Sequence, residues 1–202
     1  MNQTELKKQA KNRLSGNWTW AVILSLLTFT LPSMLAFLTS GFGGILAIFF
    51  TASRQMAFLN LLDQEKEEDI LTAVFTSFRQ GRFVPVLITG LLQYLFLILW
   101  SLLFIIPGFI KIYSYSMANY IIEDLVAQGR EIEPTEAITK SRMLMDGHKL
   151  ELFFLDLSFL GWALLVPFTF GIGSFWLIPY QLTTRAAFYR QLAAATPEIL
   201  DL

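Results

Sequence analysis

Cysteine is absent from the 202 residues, and histidine occurs once. Disulfides, thiolate metal sites and cysteine nucleophiles are thereby excluded, and a lone imidazole is too few ligands for a metal site. Charge is scarce as well: 15% of residues are Asp, Glu, Lys or Arg, against about 25% in soluble domains. The net charge of −1 offers no basic face to nucleic acid. Signatures of reaction chemistry are missing: there is no phosphate-cradling glycine-rich loop, no HExxH pair and no nucleophile elbow. The expectation is a protein that is not an enzyme and needs no cofactor.

What fills the chain is apolar. Hydrophobic residues make up 54% of it, and three stretches carry no charge: residues 14–53 (40 residues), 83–110 and 157–184 (28 each). A spanning helix needs about 20 apolar residues at ~1.5 Å rise each. The chain therefore reads as an all-α, polytopic helical membrane protein with one transmembrane domain over residues 1–202. Lys7, Lys8, Lys11 and Arg13 ahead of an apolar run suggest a signal peptide. The 40-residue run is far longer than the ~7–15 residues of a signal core, which argues against that reading.

Three junctions divide the chain. "ELKKQAKNRLSGNWTW" turns apolar after Gly16, "DILTAVFTSFRQGRFVPV" after Gly81 and "EAITKSRMLMDGHKLELFF" after Gly147, at spacings of 65 and 66 residues. Before each glycine an apolar stripe recurs: Leu6, Ala10 and Leu14; Leu71, Phe75 and Phe78; Ala137, Ser141, Leu144 and Met145. A short basic helix with such a stripe lies in the membrane interface. Asp69 suits the N-cap of the second copy, and Pro134 the first turn of the third. After each glycine come an apolar segment, a Gly/Pro break and a second apolar segment. The breaks are "TSGFGG" (residues 39–44), Pro107 with Gly108, and "TFGIG" (residues 169–173). The expectation is six spans near 18–38, 43–62, 84–106, 109–125, 150–169 and 173–192. They form three helix hairpins, each preceded by a cytoplasmic interfacial amphipathic helix, in repeats 5–62, 69–125 and 136–192. The alternative has four firm spans, with 43–62 and 109–125 lying shallow.

With both termini in the cytoplasm, the three hairpin tips are uncharged and 14 of the 15 Lys and Arg fall toward the cytoplasmic side. That is the positive-inside bias. Lys111 is the exception, placed to snorkel outward.

Within the spans, Arg54, Asp156 and Arg185 form a candidate intramembrane charge network. Charges near the bilayer centre cost at least ~2.5–3.5 kcal/mol each, so they pair or face a wet cavity. Two readings stay open: an Asp–Arg lock or arginines reaching lipid phosphates, and a polar pathway or anionic headgroup site. Tyr113, Ser116 and Tyr120 share a helical face, and Tyr180 and Thr184 lie near Arg185; together they make a candidate polar seam. Tyrosine near span ends also forms interfacial belts, and Ser and Thr serve helix packing. Pro107, Pro167 and Pro179 read either as broken-helix marks or as ordinary turns and kinks. His148 aligns with Asn17 and Arg82 at the junctions and reads as a solvated interface residue. The acidic run "DQEKEED" (residues 63–69) reads as a solvated loop.

Three stretches carry a resemblance: "SLLFIIPGFIKIYSYSMANYI" (101–121), "EAITKSRMLMDGHKLELFFLDLSFLGW" (136–162) and "GIGSFWLIPYQLTTRAAFYRQL" (171–192). They are similar to a family of bacterial integral membrane proteins catalogued as domain of unknown function 975. The resemblance is strongest over residues 101–192 and carries the IPG turn, the YSYSMA run and the DLSF-x-GW stretch. It implies a multi-pass protein of a bacterial cytoplasmic membrane, and it implies no activity, ligand or catalytic residue. The expected partner is the lipid bilayer, with anionic lipid headgroups or another membrane protein as the candidates for specific contact. The leading functional expectation is an accessory, regulatory or partner-binding membrane protein; the alternative is a small transporter or lipid-handling protein using Arg54, Asp156 and Arg185.

Overall fold

A computed structural model describes residues 2–38, 46–79, 81–103, 105–133 and 135–200, and for 100–103 and 105–107 it describes the backbone alone. Among the described residues the protein is all helix. The expected break at 39–44 and the expected first-turn Pro134 lie outside them.

The first helix, α1 (Gln3–Leu14), is capped by Asn2, whose side chain accepts from the Thr4 N–H. Gly16 follows at φ +81°, and α2 (Trp18–Leu38) begins. Helix α2 is apolar around its whole circumference and folds its hydroxyls onto its own backbone: Thr28, Thr30 and Ser33 each donate to the carbonyl four residues back. Polar groups in apolar surroundings must be satisfied internally. Helix α3 (Leu46–Leu62) returns against it.

Asp69 does cap the next helix, accepting from the Thr72 N–H at 3.0 Å and its hydroxyl at 2.7 Å. That helix, α4 (Ile70–Val74), tightens into a 3-10 turn at Thr76–Phe78. Its protein-facing side is Ala73, Val74, Thr76 and Ser77, an ordinary i, i+1, i+3, i+4 helical face, whereas the stripe residues Leu71 (61%) and Phe75 (42%) are exposed. In α1 the stripe holds: Leu6, Ala10 and Leu14 are buried against protein.

Beyond Gly81 (φ +74°) come α5 (Phe83–Leu103), α6 (Ile105–Tyr115) and α7 (Ala118–Ala127). Pro107 and Gly108 fall in the first turn of α6 rather than between helices, where a proline's missing N–H costs nothing. The third set is α8 (Glu136–Leu144), Gly147 (φ +77°), α9 (Lys149–Leu157), α10 (Leu160–Leu165) with a 3-10 turn at Pro167–Thr169, α11 (Ser174–Ala195) and α12 (Pro197–Leu200). All three junction glycines therefore adopt the left-handed conformation that ends a helix and that residues with a Cβ avoid.

Each helix that precedes a hairpin docks on the returning helix of a different hairpin. Helix α4 and its 3-10 turn pack on α3, α8 on α6 and α7, and α1 along α11. Helices α3, α7 and the C-terminal half of α11 supply most of the core, including Phe58, Tyr120, Ile121, Phe188 and Tyr189. The far ends of the hairpins are different. Phe37 is 88% exposed and Phe170 98%, and α10 buries nothing.

Among the described residues, two segments are long and apolar enough to cross a membrane: Trp18–Leu38, with mean hydropathy 2.1, and Lys149–Thr169, with 1.8. Only 28% and 17% of their most apolar windows are buried, so most of that surface has no protein partner. The six expected spans are thus met at the coarser level of two. Two of the remaining segments depart from a simple span. Helices α6 and α7 are parted at Ser116 and Met117, and α11 carries two arginines.

Candidate functional site

The helix breaks and docking contacts bring ionisable side chains inward at two levels. At the first, Arg185 on α11 grips Asp156 on α9 with both arms: Nε donates to Oδ1 at 2.9 Å and Nη2 to Oδ2 at 2.6 Å. Such a forked pair is among the stronger charge-assisted contacts. Tyr113 on α6 stands beside Asp156. Tyr120 on α7 lies within electrostatic reach of Arg54, Arg185 and Asp156. Its hydroxyl is buried with no hydrogen-bond partner, and so is the Nε of Arg54 on α3. Among the described residues no carboxylate pairs with Arg54, although both its neighbours are engaged: Ser53 donates to Ser77 at 2.8 Å, and Gln55 accepts from Asn119 at 2.6 Å.

All three charges read from the sequence thus gather around Tyr120. The polar seam does so only in part. Tyr113 and Tyr120 join the charges, but Ser116 and Thr184 donate to carbonyls of their own helices, at 2.8 and 2.7 Å. Tyr180 packs edge-on against Phe159 at 5.2 Å instead.

The second level has no counterpart in the sequence reading. Tyr120 stacks on Tyr189 with ring centroids 5.3 Å apart. The Tyr189 hydroxyl donates to Asp124 at 2.5 Å. Arg190, the next residue on α11, is held by two carboxylates: Nη1 and Nη2 reach Asp124 of α7 at 2.6 and 2.8 Å, and Nε reaches Asp63, just past α3, at 2.9 Å. Alongside, Arg82 donates to both oxygens of Glu123 at 2.6 and 3.1 Å, and Asn60 adds a third donor at 3.2 Å. A recess of about 470 Å³ next to this cluster is lined by Gln9, Asn12 and Arg13 of α1 with Leu62, Asp63 and Arg190.

The chain-sequence model of one family, described as "Protein of unknown function (DUF975)", matches residues 1–119 and 102–196. The chain belongs to this family. The match takes in the first hundred residues of this DUF975 protein, ahead of the stretch 101–192 where the resemblance is strongest. No curated protein and no solved structure matches the chain.

The acidic run of this DUF975 chain is not uniformly solvated. Asp63 belongs to the Arg190 cluster, Lys66 donates to Asn17 at 2.8 Å, and Glu67 pairs with Arg79 at 3.3 Å. Burial pushes the Glu67 carboxyl above its ordinary value, against the pull of the Arg79 guanidinium. Asp69 is moved the other way by the two Thr72 donors. His148 precedes α9 with its Nδ1 3.5 Å from Glu151 and no hydrogen bond. Among the described residues, no group of three His, Asp or Glu could hold a metal ion. Chemically, the first level holds two arginines against one aspartate, and the second two arginines against three carboxylates. Their formal charges, +1 and −1, cancel. Every carboxylate of these two levels already accepts from an arginine.

Proposed function

We propose that this DUF975 protein is a non-enzymatic, multi-pass protein of a bacterial cytoplasmic membrane that serves as an accessory, regulatory or partner-binding module. Its six spans form three hairpins in repeats 5–62, 69–125 and 136–192, with both termini in the cytoplasm. The observation that carries the reading is mutual neutralisation. Arg54 apart, the inward charges engage one another in pairs that tie α9 to α11 and the end of α3 to α7 and α11. Charges spent this way lock a bundle and are poorly placed to pass a solute. The bare apolar ends of the hairpins support the membrane location, since soluble monomers rarely leave contiguous apolar patches above a few hundred Å². The shared left-handed glycines support the repeat. The recess beside α1 offers polar groups to a partner on the cytoplasmic side.

One observation favours a second reading as a small transporter or lipid-handling protein: Arg54 and Tyr120 face each other's level with unmet hydrogen-bonding capacity. The purified protein, reconstituted into vesicles, distinguishes the two. Entrapped phosphate, glutamate and protons should leak no faster than from empty vesicles, and a fluorescent phospholipid should not exchange leaflets. Flux that disappears in Asp156→Asn, with folding intact, would sink the accessory reading. Topology is testable separately, because a cysteine-free chain gives no labelling background. Phe170→Cys should react with an impermeant maleimide on intact cells, and Glu198→Cys only after permeabilisation.

A further inference from the structure

Arg54 is the inward charge that the pairing leaves over. Its Nε is buried without a hydrogen-bond partner, and so is the hydroxyl of Tyr120, a residue only 1% exposed. The two stand on helices in contact, α3 and α7. Among the described residues Tyr120 is the ionisable group whose field reaches Arg54. A neutral phenol cancels no charge. Asp156 reaches Tyr120 but is spent on Arg185. The surplus negative charge of the second level lies beyond the Tyr120–Tyr189 stack, with Asp63 and Asp124 on Arg190. Asp201, the only acidic residue outside the described ones, follows α12, which docks on α8 and α11. A guanidinium stays protonated, so this charge cannot be shed. Leaving an inward ion unpaired is costly, and water meets its hydrogen bonds without neutralising it.

We propose that Arg54 and Tyr120 bind a small, singly charged oxyanion of the carboxylate or phosphate kind. The inference rests on the site of the second reading above and names its ligand, and binding there does not require passage across the membrane. Both unmet groups are donors: the planar guanidinium offers parallel N–H groups that match two oxygens of one anion, and the phenol O–H turns to a third lone pair. One negative charge neutralises what Arg54 leaves over. Depth selects a soluble ion over a lipid headgroup. Arg54 lies half-way along the span 43–62, about 12 Å of helix from Leu62 at its cytoplasmic end. That is most of one leaflet of a ~30 Å hydrocarbon core, below the reach of a phosphate anchored at the interface. The level is not sealed, since the Arg185 side chain is 36% exposed, Asp156 20%, and Arg54 itself partly so.

The test follows trifluoroacetate by fluorine NMR line broadening on the purified protein in mild detergent, with trifluoroethanol as the uncharged control. Trifluoroacetate alone should broaden, saturably. At equal ionic strength acetate and dihydrogen phosphate should displace it, and chloride should not. Arg54→Gln should abolish the broadening, and Tyr120→Phe, which keeps the ring on Tyr189, should weaken binding about tenfold or more. Without added oxyanion, Arg54→Gln should melt no lower than wild type, because it removes an unpaired charge. Five results overturn the proposal: no saturable broadening, broadening that survives Arg54→Gln, displacement by chloride as strong as by acetate, displacement only by a short-chain phosphatidylglycerol, or an Arg54→Gln protein that melts well below wild type and so has lost a structural contact. The vesicle assay above separates the site from transport. Arg54-dependent binding without flux supports the site and ends the transporter reading, whereas flux without such binding overturns the site and leaves that reading standing.

Discussion

Replacing Arg190 with methionine tests whether the second charge cluster holds the bundle together. Methionine keeps most of the stem and removes five N–H donors. Asp63 and Asp124 then face each other without a counter-ion, and Asp124 keeps only the Tyr189 hydroxyl as a donor. Breaking a buried pair costs about 3–5 kcal/mol, mainly because a charge is left stranded. Here the Arg190 side chain is 32% exposed and Asp63 25%. Water therefore screens part of the loss, and roughly 2–3 kcal/mol is the better expectation. At this chain length each kcal/mol moves the melting point by about 2–4 °C, so Arg190→Met should melt ~4–12 °C below wild type in mild detergent, followed by intrinsic fluorescence. The stranded-charge argument makes a second demand. Adding Asp63→Asn and Asp124→Asn to Arg190→Met should recover at least half of the loss, because the repelling groups are gone. Unchanged melting in the single variant would refute the locking role. A triple variant no more stable than the single would show that the arginine works through packing instead.

Asp156→Asn should destabilise by about 2 kcal/mol, discounted for partial exposure, and the double variant Asp156→Leu, Arg185→Met should lose less than the single; a melting-point cycle in detergent reads the coupling. Glu67 has its carboxyl raised by burial in the folded protein. Its contribution is therefore fully present below the ordinary glutamate range and is lost as pH rises through the raised value, so Glu67→Gln should gain on wild type in melting point between acid and neutral pH. At Gly90 an added Cβ would stand 2.3 Å from Ile48 Cγ2. Gly90→Ala should cost about 1–3 kcal/mol by forcing α5 off α3, and Ile48→Ala should restore most of it on the same melt. Ala10→Leu should overpack α1 against α11, raising amide exchange over residues 3–14 while residues 136–144 keep their protection.

Much of this was legible from residues alone, and the failures have physical causes. The Asp156–Arg185 pair could be anticipated because a lone carboxylate and a lone guanidinium in neighbouring apolar runs have few other partners. The Arg190 cluster could not. Asp63 opens an acid-rich run that reads as solvated, and Asp124 and Arg190 sit near helix ends, where charge is ordinary. Only the meeting of α3, α7 and α11 turns the three into one site, and no local spacing encodes that meeting. The stripe of α4 left its docking face unread: Leu71 and Phe75 stay exposed, and the helix docks through Ala73, Val74, Thr76 and Ser77, mostly small residues that hydropathy does not single out. The break at Pro107 and Gly108 misled because proline also suits a helix start.

The docking of the short helices bears on the repeat more strongly than apolar similarity does. Leu- and Phe-rich segments resemble one another by composition, whereas hydrogen bonds at matched separations do not follow from composition. Ser77 donates to the Phe49 carbonyl 28 residues back at 2.9 Å, and its N–H donates to Ser53, 24 residues back, at 3.0 Å. Ser141 donates to the Ser114 carbonyl 27 residues back at 2.8 Å, and it accepts from the Met117 N–H 24 residues back at 3.2 Å. Ser77 meets a carbonyl and a hydroxyl of α3, and Ser141 meets two backbone groups where α6 gives way to α7, so two of the three contacts are pinned by polar geometry. At the corresponding place in α1 stands Ala10, which has no hydroxyl. Helix α1 meets α11 through buried Leu6, Ala10 and Leu14, and among the described residues no side-chain hydrogen bond joins the two helices. Apolar packing slides at less cost than a pinned pair, since no donor or acceptor is stranded by a small shift. The first and third hairpins therefore meet along α1 without such a pin, and the Asp63–Arg190 pair at the end of α3 supplies their polar tie instead.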